Sequence, residues 1–366
     1  RAVRFAAPIA SRFVSPALTK KCAGIAGTAL FAMAVSGGSS PARAAASAAA
    51  ALDFSVLKQQ DSVTSSKIID MLAKDPKFKE ISAKATKAIL KRDEEDGEKL
   101  QQGIDLAIKK GVIPADVKVE PVCKVYVTGK TAEQVSEEII NGLGKAAEEG
   151  CIMTLQGLSG TGKGTTVAML KKKLPKATTW SNGNIFRCLT LLAATYAEKN
   201  KCSLQDAITP ELLASYCKML EFGKFNGKFD VKISGLGYEL FVSDVCNTVL
   251  KGPKVGKNIP TVAGVTQGEV IGFVQNALNI MTKDGVNVLL EGREQTLNYI
   301  RTPHRFELVL DDVNIIGQRR AAQRIGAQAL KELETEQTIF EKFTGGPSAS
   351  KVSKKITEVL EKMAKE

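Results

Sequence analysis

The sequence predicts an α/β fold in which a parallel sheet is flanked by helices, with a helical extension and a targeting leader ahead of it. Three observations predict this. The run Gly157-Leu158-Ser159-Gly160-Thr161-Gly162-Lys163-Gly164-Thr165 has the pattern G-x-x-x-x-G-K-G-T. It stands between a short apolar run at 151–155 and a helical spacing of apolar residues at Val167, Leu170 and Leu174. Two later apolar runs of strand length, 286–290 and 306–310, each lead into acidic residues.

Composition bounds the function classes. The chain has 366 residues, enough for one large domain with extensions. Its net charge is +12, which suggests nucleic acid as a partner. The distribution argues otherwise. Six basic residues (Arg1, Arg4, Arg12, Lys20, Lys21, Arg43) precede the first acid, Asp53. Without them 45 basic and 39 acidic residues remain, a surplus of six, so no nucleic acid is expected as a partner. None of the seven cysteines forms a C-x-x-C pair, and His304 is the lone histidine. A cysteine zinc site and a histidine-based triad are therefore without support.

Residues 1–52 read as an organelle-targeting leader. Residues 1–16 are basic, rich in Ala and Ser, and free of acids, as transit peptides are. A Lys20-Lys21 pair, an apolar stretch at 22–35 and Ala42-Arg43-Ala44 then look like a secretory-type signal lying behind it. The stretch is too short and too rich in Ala and Gly for a membrane span. The expectation is a plastid protein, thylakoid-associated or lumenal, with the mitochondrion as the alternative. Membrane contact is expected only through an uncleaved leader.

Residues 53–118 read as a helical extension of two or three amphipathic helices. Ile81, Ala85, Ile89 and Leu90 form one apolar stripe, and Leu100, Ile104, Leu106 and Ile108 another. A charged break at 92–96 separates them. Nothing in the extension suggests chemistry. Its charge runs read as solvated faces, and it offers a surface for a protein partner.

The main domain is expected over 119–345. A strand at 122–127 comes first. Thr131-x-x-Gln134 is a capping-box start to a helix buried through Val135, Ile139, Ile140 and Leu143. The glycine-loop strand follows in β-α-β order. Residues 181–187 open a new helix, and Pro210 sits at the first position of another. Residues 228–242 read as a hairpin around Gly235-Leu236-Gly237. Residues 251–260 read as an exposed Lys/Gly/Pro loop, and 269–281 as a helix. A separate C-terminal helix is expected over 346–366, on Val352, Ile356, Leu360 and Met363.

The glycine run is a phosphate-binding pattern with a mechanism. Glycines let successive N–H groups turn toward phosphate oxygens at a helix N-terminus. Lys163 would bring a cation to the β/γ-phosphates, and the Thr165 hydroxyl could ligate Mg²⁺. In an open α/β sheet, strand C-terminal ends line the ligand crevice. The glycine loop, residues 291–294 and Asp311 should therefore share one rim.

Further motifs narrow the reading. Ser181-Asn182-Gly183-Asn184-Ile185-Phe186-Arg187 is similar to D-S-G-A-I-Y-R, and Glu291-Gly292-Arg293-Glu294 to D-G-R-D. Leu310-Asp311 followed by Arg319-Arg320 is similar to a last core strand and the start of a lid. With the Lys-Gly-Thr ending of the loop, these motifs resemble the cytidylate kinase branch of nucleoside monophosphate kinases, over about residues 150–326. The resemblance implies a P-loop kinase fold that uses ATP and Mg²⁺ to phosphorylate a CMP-like nucleoside monophosphate. It implies that Gly157, Ser159, Gly160, Thr161, Gly162, Lys163, Gly164, Thr165 and Thr166 hold ATP. Ser181, Gly183, Arg187, Arg293 and Glu294 would hold the acceptor, and Thr165 and Glu291 the metal. Lys163 with the lid arginines Arg319, Arg320 and Arg324 would neutralise charge on the transferred group.

The sequence also departs from that pattern. Ser181 stands where the branch has Asp, and Phe186 where it has Tyr. No arginine occurs at 274–276, and nothing after Arg324 matches the R-x-x-x-D-x-x-R lid segment. These losses motivate an alternative: a catalytically degraded nucleotide-binding subunit or assembly factor of an organelle complex.

Overall fold

The computed structural model describes residues 3–4, 52–339, 341 and 345–365. Apart from residues 3–4 and 52, the leader expected over 1–52 lies outside the described residues. Nine strands among them, from β1 (Val3–Arg4) to β9 (His304–Val309), form two sheets.

The central sheet takes β2 (Cys123–Tyr126), β3 (Ile152–Gly157), β4 (Ala177–Trp180), β8 (Asn287–Glu291) and β9 in the order β2-β9-β3-β8-β4. Every pairing is parallel. The central strands β3 and β8 are buried on both faces, as the middle of a parallel sheet requires. Met153, Leu155 and Leu289 face α4 (Ala132–Leu143) and α5 (Lys163–Lys173). Ile152, Val288 and Leu290 face α6 (Asn182–Asn200) and α9 (Gln267–Lys283). The alternation along β3 and β8 thus feeds two cores. Helix α4 starts with the capping box expected at Thr131 and Gln134.

Asn287 fixes the lower end of this sheet. It is fully buried, donates to the carbonyls of Ala147 and Pro175, and accepts from the Cys151 amide. Those bonds tie the entries of β3, β4 and β8 together, and all five strands then run toward one rim.

The second sheet is antiparallel: β5 (Leu220–Phe225), β6 (Lys228–Gly235) and β7 (Tyr238–Phe241), with β1 on the free edge of β5. The hairpin expected at 228–242 is its second half. Helix α7 (Pro210–Lys218), with proline at its first turn, leads into it.

Residues 253–265 differ from the expected exposed loop. They form a helix, α8 (Pro253–Val265), with Val255 and Val262 buried and Pro260 inside it. The apolar spacing of Val255, Ile259 and Val262 outweighs the proline. Pro260 lacks an N–H, so the helix forgoes the bond to the Gly256 carbonyl at that point.

The extension is no appendage. Helices α1 (Phe54–Gln59), α2 (Ser62–Leu72) and α3 (Pro76–Lys109) share one core with α11 (Asn314–Glu336) and α12 (Ala349–Met363). Phe54, Leu57, Ile68, Leu72, Phe78 and Ile81 pack there with Ala322, Ile325, Leu333, Val352, Ile356 and Leu360. The boundaries expected near 118 and 346 therefore do not separate cores. Helix α3 is continuous through 92–96, where a break was expected, and at 34 residues it is about 50 Å long. It crosses α11 so closely that a Cβ on Gly317 would lie 2.1 Å from both the Ser82 carbonyl and the Thr86 hydroxyl.

Candidate functional site

Four of the five parallel strands deliver the expected groups to one rim. Residues 158–162 follow β3, Ser181 follows β4, Glu291 ends β8 and Asp311 follows β9. Leu155 of β3 is the pairing partner of Glu291, and Trp180 of β4 is the partner of Leu290, so these ends are neighbours.

The glycine loop turns directly into α5. Gly160 and Gly162 have φ of +87° and +96°, a region that suits glycine. Nothing lies within 4 Å of where a Cβ would stand on Gly162 or Gly164, so both glycines are open on that side. Thr165 is exposed there, whereas Thr166 is buried. Thr161 is also buried, and its hydroxyl donates to the Leu158 carbonyl at 2.8 Å. Of the hydroxyls expected to hold ATP in this turn, Thr165 is the exposed one.

Lys163 folds back over its own loop. Its Nζ donates to the carbonyls of Gly157 at 2.7 Å and Leu158 at 2.9 Å. Burial lowers its pKa, while the charges of Glu291 and Asp93 pull the other way and Arg293 adds to the lowering. Lys163, Glu291, Arg293 and Asp93 thus form one electrostatic cluster. Glu291 is exposed. Its carboxylate and the Thr165 hydroxyl are hard oxygen donors, the chemistry that Mg²⁺ takes beside substrate phosphates. Among the described residues no group of three or more His, Cys, Asp or Glu could hold a metal alone.

The three expected lid arginines separate. Arg319 reaches the loop, donating to the Gly160 carbonyl at 3.3 Å, and burial lowers its pKa. Arg320 and Arg324 instead line a cavity of about 320 Å³ with Gln60, Thr64 and Ser65 of the extension. Helix α11 is held in the α1–α3 core, and successive residues on a helix point about 100° apart, so the three cannot converge.

The acceptor-side residues are committed to other partners or lie exposed. Arg187 donates to Asn184 on its own turn at 3.2 Å, close over Gly183. Ser181 and Glu294 are exposed. Arg293 donates to the Asp93 main-chain carbonyl and carboxylate, both at 3.1 Å, and to Asp96 at 2.8 Å. Behind it, the buried Arg305 guanidinium donates to the carbonyls of Leu297 and Ile300 and to Asn298. Those bonds fix the turn that follows α10 (Glu294–Leu297).

Asp93 is the residue that sequence reasoning missed. Its carboxylate accepts from the Ser159 amide and the Ser159 hydroxyl, both at 2.7 Å. Burial pushes its pKa up, but the bonds from Ser159 and Arg293 outweigh that and hold it below 3.8, the ordinary value. A signal existed. The spacing of three and four that carries the stripe from Ile81 through Ala85 and Ile89 continues to 93 and 97, and then to Leu100 and Ile104. Asp93 and Gly97 are buried on that stripe, while Glu94 and Glu95 are the solvated charges.

Three free cysteines, Cys151, Cys188 and Cys217, are buried. Burial pushes the Cys151 thiol up to about 11 and the other two higher, so these are core side chains. No helix among the described residues is long and apolar enough to cross a membrane. Comparison with family models, with curated proteins and with solved structures finds no match for this chain.

Proposed function

We propose that this chain is a P-loop kinase that binds ATP and Mg²⁺ at the glycine loop and transfers the γ-phosphoryl group to a nucleoside monophosphate, with CMP-like acceptors first. One observation carries the reading: a glycine loop with two left-handed glycines leads into α5, with Lys163, Arg293, Arg319 and Glu291 gathered around it. Such a transfer needs positioning and positive charge rather than a nucleophilic side chain.

In this reading the amides of the loop and the Lys163 ammonium hold the ATP phosphates. Lys163 exchanges two carbonyl bonds for phosphate oxygens, which are stronger acceptors for a cation. Thr165 and Glu291 would hold Mg²⁺, which screens phosphate charge when bound. Arg319 stands beside Gly160 to offset charge on the transferred group, and Arg187 and Arg293 bind the acceptor phosphate. The basic, acid-free leader supports a plastid location. A C-terminal fluorescent fusion that stays in the cytosol argues against it.

A second reading is a nucleotide-binding subunit or assembly factor that has lost transfer. The observation favouring it is the separation of Arg320 and Arg324 from the loop, with their helix held in a core. A coupled assay with ATP, Mg²⁺ and a panel of nucleoside monophosphates decides between them. ADP formation with CMP or a relative supports the kinase. Bound ATP without ADP formation for any acceptor leaves the subunit reading. Lys163→Ala should weaken ATP binding about 100-fold under either reading, since it deletes two or more charge-assisted contacts.

A further inference from the structure

We propose that the extension completes the nucleotide site: Asp93 is a positioning residue that fixes the glycine loop through Ser159 and aims Arg293, while Asp96 holds the place on Arg293 that a ligand phosphate takes. The proposal rests on the reading of the glycine loop as a phosphate site.

The two acids lie three residues apart on one helix, but their surroundings differ. The Asp93 side chain is 6% exposed and that of Asp96 is 44% exposed. Asp93 accepts two bonds from Ser159 and one on its carboxylate from Arg293, and its main-chain carbonyl takes another from the same guanidinium. Asp96 makes one bond, to the same Nη2 that reaches Asp93.

Helix α3 cannot swing to release Asp93. On one side of it, Ser82 and Thr86 press on Gly317. On the other, a Cβ on Gly97 would lie 3.1 Å from Gln295, and one on Gly103 would lie 2.6 Å from Gln267. Asp93 sits between these close approaches. The solvent-facing carboxylate of Asp96 can rotate away by its own torsions. A phosphate and a carboxylate both accept from the planar guanidinium fork, so a ligand phosphate can take the Asp96 bond while the Asp93 bonds stay.

Electrostatics makes the proposal easy to break. Asp93 lies close enough to influence Lys163, so neutralising it adds net positive charge to the site. On charge alone an anion would then bind more tightly. A positioning role predicts the opposite sign.

The test measures MgATP and CMP affinity by displacement of a fluorescent ADP analogue and by calorimetry on the full chain, with thermal melts in parallel. Asp93→Asn should weaken MgATP about tenfold or more, and Ser159→Ala, which removes one of the same bonds without a charge change, about threefold. Asp96→Asn should tighten CMP about threefold, since the phosphate no longer displaces a charged partner. Glu94→Gln, the same charge change on the exposed face, should leave both affinities alone. Unchanged or tighter MgATP in Asp93→Asn overturns the positioning role. If that variant fails to fold, wild-type MgATP binding in Ser159→Ala overturns it instead. CMP binding no tighter in Asp96→Asn overturns the place-holder role. Wild-type MgATP binding in Lys163→Ala is a different failure, that of the phosphate-site reading itself.

Discussion

The glycine loop and the arginines beside it stand on one rim but are built by different means. The loop is made by nine consecutive residues, and its backbone turns and back-folded lysine arise within it, with Asp93 holding Ser159 from outside. The arginine side is assembled from distant segments. Arg293 is placed by acids 197 and 200 residues earlier, and Arg319 by a helix packed on the extension. A locally formed turn depends on remote change only where another element holds it, as Asp93 holds Ser159. A remotely built site inherits the stability of whatever carries it.

The largest way to break that difference is at the α3–α11 crossing. Gly317→Leu would put a side chain where Ser82 and Thr86 already stand, which forces the helices apart. Overpacking of this kind costs ~3 kcal/mol, and a backbone contact on one side leaves little room to relax it. Urea unfolding should show that loss. Nucleotide affinity should fall with it, because Arg319 and Asp93 ride on the two helices. Affinity unchanged despite that loss of ~3 kcal/mol would mean that the loop works without them.

A smaller effect tests the buried carboxylate. Removing its hydrogen bonds by Asp93→Asn should cost about 1–3 kcal/mol at neutral pH. The pH dependence has a definite sign. The folded-state pKa of Asp93 lies below 3.8, so its stabilisation is complete above that value and is lost as pH falls through the lowered one. The stability gap between wild type and Asp93→Asn should therefore be flat near neutrality and shrink in strong acid. A gap independent of pH down to the acid transition means the carboxylate is not the stabilising form.

How much was legible in the sequence follows the same line between local and distant. The loop, the strand ends at Glu291 and Asp311, and the Thr131 capping box depend on neighbours within a few residues. All were readable from spacing. Asp93 was not, because a charge run reads as solvated unless the helical stripe is followed through it. The strand at Ala177–Trp180 was also hidden, being four residues with two threonines whose partner, β8, lies over a hundred residues away. The first turn of the small sheet, by contrast, carried a signal that went unused. Asn226-Gly227, with φ of +49° and +80°, is the residue pair a two-residue hairpin turn prefers.

The next test is Arg319→Ala. Its guanidinium meets the loop at Gly160, so its loss should weaken MgATP about fivefold, in line with one exposed-edge contact to phosphate, and should lower kcat further if transfer occurs. The smallest expected effect is the most discriminating. Arg320 and Arg324 stand within five residues of Arg319 in the sequence, and motif resemblance groups all three. In the fold they line a cavity against Gln60, Thr64 and Ser65. The double variant Arg320→Ala, Arg324→Ala should therefore leave MgATP affinity and any kcat within about twofold, the range of a remote surface change. A loss of about 100-fold would mean that α11 leaves the extension core during turnover and swings these arginines to the loop. The rim would then be a moving assembly, and the fixed position of Asp93 would have to be given up with it.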